Sequence, residues 1–211
     1  LPQLEAVKEE AYGPKGYQVD PPDCLIRSGE QVVVAIECKT TKLTFEAQYA
    51  EDPMSVARQG FDQIAKGIFQ LWRFFSHARR NIYSANTVSP EAIGLVLTMD
   101  GWMQMAAGLR EAAMKRAEEM AAKDSHISKA DMRRIVFASM QELNATLAQT
   151  ELAEFLTVLA HATTDKYNGY GLPEVARDCG VSLVRKRYPL DIGALLPWWN
   201  KLGKPEDLPG N

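Results

Sequence analysis

The sequence predicts a mixed α/β domain, with a short central sheet flanked by helices, and three stretches carry that prediction. Val32 to Ile36 is an unbroken apolar run of β-branched character and strand length. From Asp52-Pro53 to about Arg80 the pattern turns helical. Pro stands at the first helical position, and Phe61, Ile64, Ile68, Leu71, Trp72 and Phe75 recur in steps of three and four. Ala92 to Met99 reads as a second buried strand, closed by Asp100-Gly101.

With 211 residues the chain can bury one sizeable core and does not require two. No apolar run has the length of a membrane span, so no membrane partner is expected, and a cytoplasmic location is. A net charge of −3 argues against a nonspecific nucleic-acid coat but leaves room for local positive charge. The chain opens on Leu1 rather than Met, which predicts further sequence upstream; an upstream domain or a homo-oligomer partner stays open. Cys24, Cys38 and Cys179 match no zinc spacing and are expected as small buried hydrophobes in a reducing compartment. A P-loop, a G-x-S-x-G elbow and an H-E-x-x-H helix are all absent from the sequence.

Taken in order, residues 2–12 predict a short helix, with Leu4, Val7 and Ala11 on one side and Glu5 and Glu9 on another, stopped by Gly13-Pro14. Tyr17 to Ile26 predicts a strand region broken by Pro21-Pro22, and Ser28-Gly29-Glu30 a tight hairpin turn. Alternation along the central strand sends Glu37 and Lys39 to one face and Ile36 and Cys38 to the other. Charges at the end of a buried element are out of place unless they do something. Asp23 would lie across the hairpin from Glu37.

The long helix carries a second, polar stripe of Gln59, Gln63, Lys66, Gln70, Arg73 and His77. Trp102 to about Lys123 predicts an amphipathic helix with Met103, Ala106, Ala113, Ala117 and Met120 on one side. Arg133 to Ser139 predicts a fifth strand, with Ser139 capping a helical region over Met140 to Ala162. Asn168 to Pro173 reads as a loop, and Val181 to Tyr188 as a last edge strand bearing the basic cluster Arg185-Lys186-Arg187. The Pro-rich tail from Pro189, with Trp198-Trp199, is expected to be irregular.

Pro22-Asp23, a hairpin, and then Glu37-Cys38-Lys39 after an apolar strand together resemble the PD-(D/E)XK, or restriction-endonuclease-like, superfamily of nucleases. The resemblance implies an α-β-β-β-α-β core over residues 1–140, with Ala92 to Met99 as its fourth strand. Residues 141–211 would then be a C-terminal helical extension and Pro- and Trp-containing tail of the same domain. It implies a Mg²⁺-dependent phosphodiesterase, with Mn²⁺ as a substitute, acting on nucleic acid, DNA ahead of RNA.

The resemblance also assigns roles. Two nearby carboxylates repel unless a cation sits between them. Asp23, Glu37 and the backbone carbonyl of Cys38 would hold the metal, and Lys39 would orient the attacking water and stabilise charge developing on the phosphate. Many members carry a further acid on a helix before the first strand, a place for Glu5 as an additional metal ligand. The helix after E-x-K borders the active site, which makes Gln63 and Lys66 candidates for contact with the phosphate or the metal-bound water. A Q-x-x-x-Y form found in some branches is absent, because Gly67 stands four residues after Gln63. The plain alternatives are an ion pair of Glu37 and Lys39 at a sheet edge, solvated faces for Glu5, Gln63 and Lys66, and a catalytically inactive nuclease-like domain that binds nucleic acid or protein.

Overall fold

The computed structural model describes residues 4–40, 45–104 and 107–184. Five strands form one mixed sheet in chain order: β1 (Leu4–Val7), β2 (Cys24–Ser28), β3 (Gln31–Lys39), β4 (Thr87–Thr98) and β5 (Ile135–Ser139). The first three are antiparallel, and β3, β4 and β5 run parallel. The β2–β3 reversal is a two-residue loop, Gly29-Glu30, in which Gly29 takes φ 62°, the Gly-first pattern of a hairpin turn that follows the strand twist. Parallel strands need longer crossovers, and helices supply them. Between β3 and β4 run α1 (Phe45–Gln48), α2 (Pro53–Val56) and α3 (Arg58–Arg79), and α4 (Ala107–Ala121) lies between β4 and β5.

Strand β3 is third of five, covered on both faces, which is why it reads as a nearly continuous apolar run. On one face Leu25, Val32, Ala35 and Val96 pack against Phe61, Ile64, Ile68, Leu71, Trp72 and Phe75 of α3 and Ala113 and Ala117 of α4. All six apolar residues expected on the long helix are buried. On the other face Ile26, Val34, Ile36, Leu95 and Leu97 meet Phe155, Val158 and Leu159 of α6 (Leu152–Ala162) and Val175 of α7 (Leu172–Asp178). Residues beyond 140 therefore close the second face of the same sheet. Helix α5 (Met140–Leu147) follows β5 without a gap because Ser139 caps it: Ser139 Oγ accepts from the Glu142 N–H, while Glu142 Oε2 accepts from the Ser139 N–H.

Several expectations are corrected. Residues 4–7 are a strand and not part of a helix: Glu5 stands opposite Arg27 on β2 and pairs with it at 2.9 Å, so a long-range cross-strand contact overrides a weak local helical pattern. The long helix from Pro53 is interrupted once, at Ala57. The helical region from Met140 is two helices. At the end of α5 Thr146 Oγ1 donates to the Glu142 carbonyl, a back-bond that bends a helix, and in the break itself the buried Thr150 donates to the Thr146 carbonyl. Part of the 168–173 loop begins α7, whose Glu174 accepts from the Gly171 N–H. Residues 181–184 form no strand. The rest of that expected strand, the Arg185-Lys186-Arg187 cluster, Trp198-Trp199 and Ala106 lie outside the described residues. Cys24 and Cys179 are only half-buried, and Cys38, next to last on β3, is exposed.

Candidate active site at the end of the central strand

The end of β3 and the start of β2 meet at the proposed motif. Cys24 is in register with Ile36, which sets Asp23, the residue before β2, at the same end of the sheet as Glu37, whose side chain lies against α3 at Gly67. Ahead of β2 the Asp23 carboxylate supplies the acceptor for the end of β3: Asp23 Oδ2 accepts from the Cys38 N–H at 2.7 Å. That bond pins an exposed carboxylate beside a buried one. Glu37 is only 4% exposed.

Lys39, two residues on and on the same face, donates to Glu37 Oε1 at 2.7 Å and to Gln70 Oε1 of α3 at 3.0 Å. The pair sits on a central strand, so it is not an ion pair at a sheet edge. Burial pushes the Glu37 carboxyl above the usual carboxylate range, and Asp23 adds to that; the hydrogen bond and charge of Lys39, and the charge of Arg73, pull the other way.

Helix α3 can approach this closely only because residue 67 is glycine. A Cβ there would lie 2.7 Å from Lys39 Cε and 3.3 Å from Glu37 Cγ. Gly67 is thus the point where the helix crosses the strand end, and Gln70, less than a turn later, is the residue that reaches in. Gln63 and Lys66, the expected contributors, are exposed and make no hydrogen bond or ion pair among the described residues. Glu5 stands level with Arg27, four residues along β2 from Asp23 and so about 13 Å away by strand rise, and its carboxylate is paired there. Sequence reasoning placed Gln70 on the right stripe but could not choose among its turns. The signal that selects the turn is the glycine.

No family model matches this chain, and no curated protein or solved structure is significantly similar to it.

The groups that could serve a cation here are all oxygen: the carboxylate of Glu37 on β3, that of Asp23 just before β2, and backbone carbonyls at the strand end. Hard cations such as Mg²⁺ and Mn²⁺ suit such donors, and zinc does not. Among the described residues no three His, Cys, Asp or Glu side chains are grouped to hold a metal ion, so a cation here would keep several waters. A groove of about 590 Å³ lies elsewhere, beyond β5 between Arg110, Arg134 and Tyr170, and shares no residue with this site. No described helix is long and apolar enough to cross a membrane.

Proposed function

We propose that the protein is a divalent-metal-dependent nuclease of restriction-endonuclease-like architecture that hydrolyses phosphodiester bonds of nucleic acid, DNA ahead of RNA. One observation carries the reading: the Asp23 carboxylate accepts from the Cys38 N–H, next in the chain to Glu37, whose own carboxylate accepts from Lys39 Nζ. The strand order supports it, since three antiparallel strands, a long helix and a parallel fourth strand follow the β-β-β-α-β part of that core.

Asp23, Glu37 and the Cys38 carbonyl would hold Mg²⁺ or Mn²⁺, which when bound supplies Lewis acidity at the phosphoryl oxygen and a more acidic water. Lys39 brings a compact positive charge to the phosphate as the water oxygen bonds to phosphorus and the ester P–O bond breaks. Gln70 fixes the direction of that ammonium. Glu37 would hold the cation with the oxygen that now accepts from Lys39, and Lys39 would then donate to the substrate phosphate instead.

A second reading, an inactive domain that only binds, has one observation in its favour: Lys39 and Glu37 already satisfy each other. Cleavage of plasmid and oligonucleotide DNA in Mg²⁺ separates the two. The wild type should cut, and Glu37→Gln and Lys39→Ala should each lose at least about 10²-fold in rate with the fold intact. Equal cutting by all three sinks the proposal, and binding without cutting by the wild type favours the inactive domain.

A further inference from the structure

Arg73 is the member of the α3 polar stripe that the proposed chemistry leaves unused. It is half-buried, its guanidinium 5.6 Å from the Phe69 ring, and no carboxylate of the described residues lies within ion-pair distance of it. Arg79, farther along the same helix, shows the contrast: Asp131 clamps it with two bonds of 2.8 Å.

The neighbours of Arg73 are neutral polar groups. Tyr12 Oη and His77 Nδ1 share a hydrogen bond of 2.9 Å. Burial pushes the Tyr12 phenol up to about 12 despite the pull of Arg73. Burial first, and then Arg73, holds the His77 imidazole below its usual range, so at neutral pH neither neighbour is charged. Along α3 Arg73 stands three residues after Gln70, which reaches Lys39, and four before His77, so helical spacing sets it on one face between the Lys39–Glu37 pair and the Tyr12–His77 pair. When a divalent cation takes up the two carboxylate charges, Lys39 and Arg73 remain as positive charge that nothing described in the fold neutralises. A guanidinium held by a half-buried stem on a helix face offers a planar fork of donors, the geometry that grips a phosphate.

We infer that Arg73 binds a backbone phosphate of the substrate next to the scissile one, and that the stripe from Gln70 to His77 is the track along which the cut strand lies. The inference rests on the nuclease reading and adds the residue that holds the strand in place. Arg73 is a binding and positioning residue; the reacting atoms belong to Asp23, Glu37 and Lys39.

The test uses a fluorescent duplex oligonucleotide, titrated against wild type, Arg73→Ala, Arg73→Gln and Arg73→Lys over a range of salt with Ca²⁺ in place of Mg²⁺, beside cleavage kinetics in Mg²⁺ and melting curves. Arg73→Ala and Arg73→Gln should lower the slope of log affinity against log salt by about one. They should raise KM on the order of tenfold, with a smaller change in kcat and an unchanged Tm. Arg73→Lys should recover the slope and only part of the affinity, since it keeps charge without the fork. Wild-type slope and KM in Arg73→Ala, while the wild type cuts, overturns this inference alone. A Tm loss that Arg73→Gln repairs together with binding assigns Arg73 to the fold and overturns it as well. A wild type that neither binds nor cuts overturns the nuclease reading, and this inference falls with it.

Discussion

Replacing Gly67 with alanine separates the site from the stability of the fold. The new Cβ would stand 2.7 Å from Lys39 Cε and 3.3 Å from Glu37 Cγ, where ordinary carbon contacts are about 3.5–4.0 Å. The lysine stem must therefore withdraw by about 1 Å, away from its bonds to Glu37 and Gln70. Alanine favours the helix by about 1 kcal/mol, and losing the charge-assisted bonds of Lys39 costs about 1.5–3 kcal/mol, so net stability changes by no more than about 2 kcal/mol. In a chain of this size that is a Tm shift on the order of 5 °C. On the proposed nuclease reading the cleavage rate is more sensitive: an error of about 1 Å in the placing of Lys39 would cost on the order of 10²-fold. Initial cleavage rates in Mg²⁺ and thermal melts of the same preparations test this. Gly108→Ala in α4 is the control, because a Cβ there meets nothing within 4 Å. A Gly67→Ala protein that cuts at the wild-type rate, or a Gly108→Ala protein that loses as much, would refute the reasoning.

Two further outcomes test the scaffold. Asp131 is buried, and burial alone would raise its carboxyl, but two bonds from Arg79 and two from Ser128 outweigh that and hold it below the usual range. A depressed folded pKa gives stability that is present above the ordinary carboxylate value and lost as pH falls through the folded one. Asp131→Asn should thus cost about 1.5–3 kcal/mol in urea unfolding at neutral pH, with the deficit shrinking below about pH 4; a deficit independent of pH contradicts the assignment. Ser139→Ala removes the cap of α5 and should cost about 1 kcal/mol, read as a Tm lower by about 2–4 °C with cleavage unchanged; an unaltered Tm would show that the cap adds nothing.

What the sequence made legible follows the range of the interactions involved. The period of the long helix, the apolar runs of β3 and β4, the Gly29-Glu30 turn and the Ser139 cap are all set by residues within a few positions of one another, and each lies in the element the pattern predicts, although β4 begins five residues before the expected Ala92, at Thr87. Strand β1 escaped because four residues carry little periodicity and its decisive contact, Glu5 with Arg27, spans the β1–β2 pairing. The break after α5 escaped because Thr146 and Thr150 read as ordinary helix residues until their hydroxyls turn back onto the helix. At the site, Glu37 and Lys39 share a face as alternation required and Asp23 bonds the Cys38 N–H between them, whereas the choice of Gln70 over Gln63 depends on where α3 crosses β3. Helical spacing is the same on every turn, so only the close approach at Gly67 identifies the crossing.

The carboxylate pair itself is tested most directly by the anomalous diffraction of a crystal soaked in Mn²⁺. The account predicts one strong peak shared between the side chains of Asp23 and Glu37, with Lys39 Nζ turned away from the Glu37 carboxylate. A crystal that takes up no Mn²⁺ there, with the Lys39–Glu37 pair still closed, would contradict it.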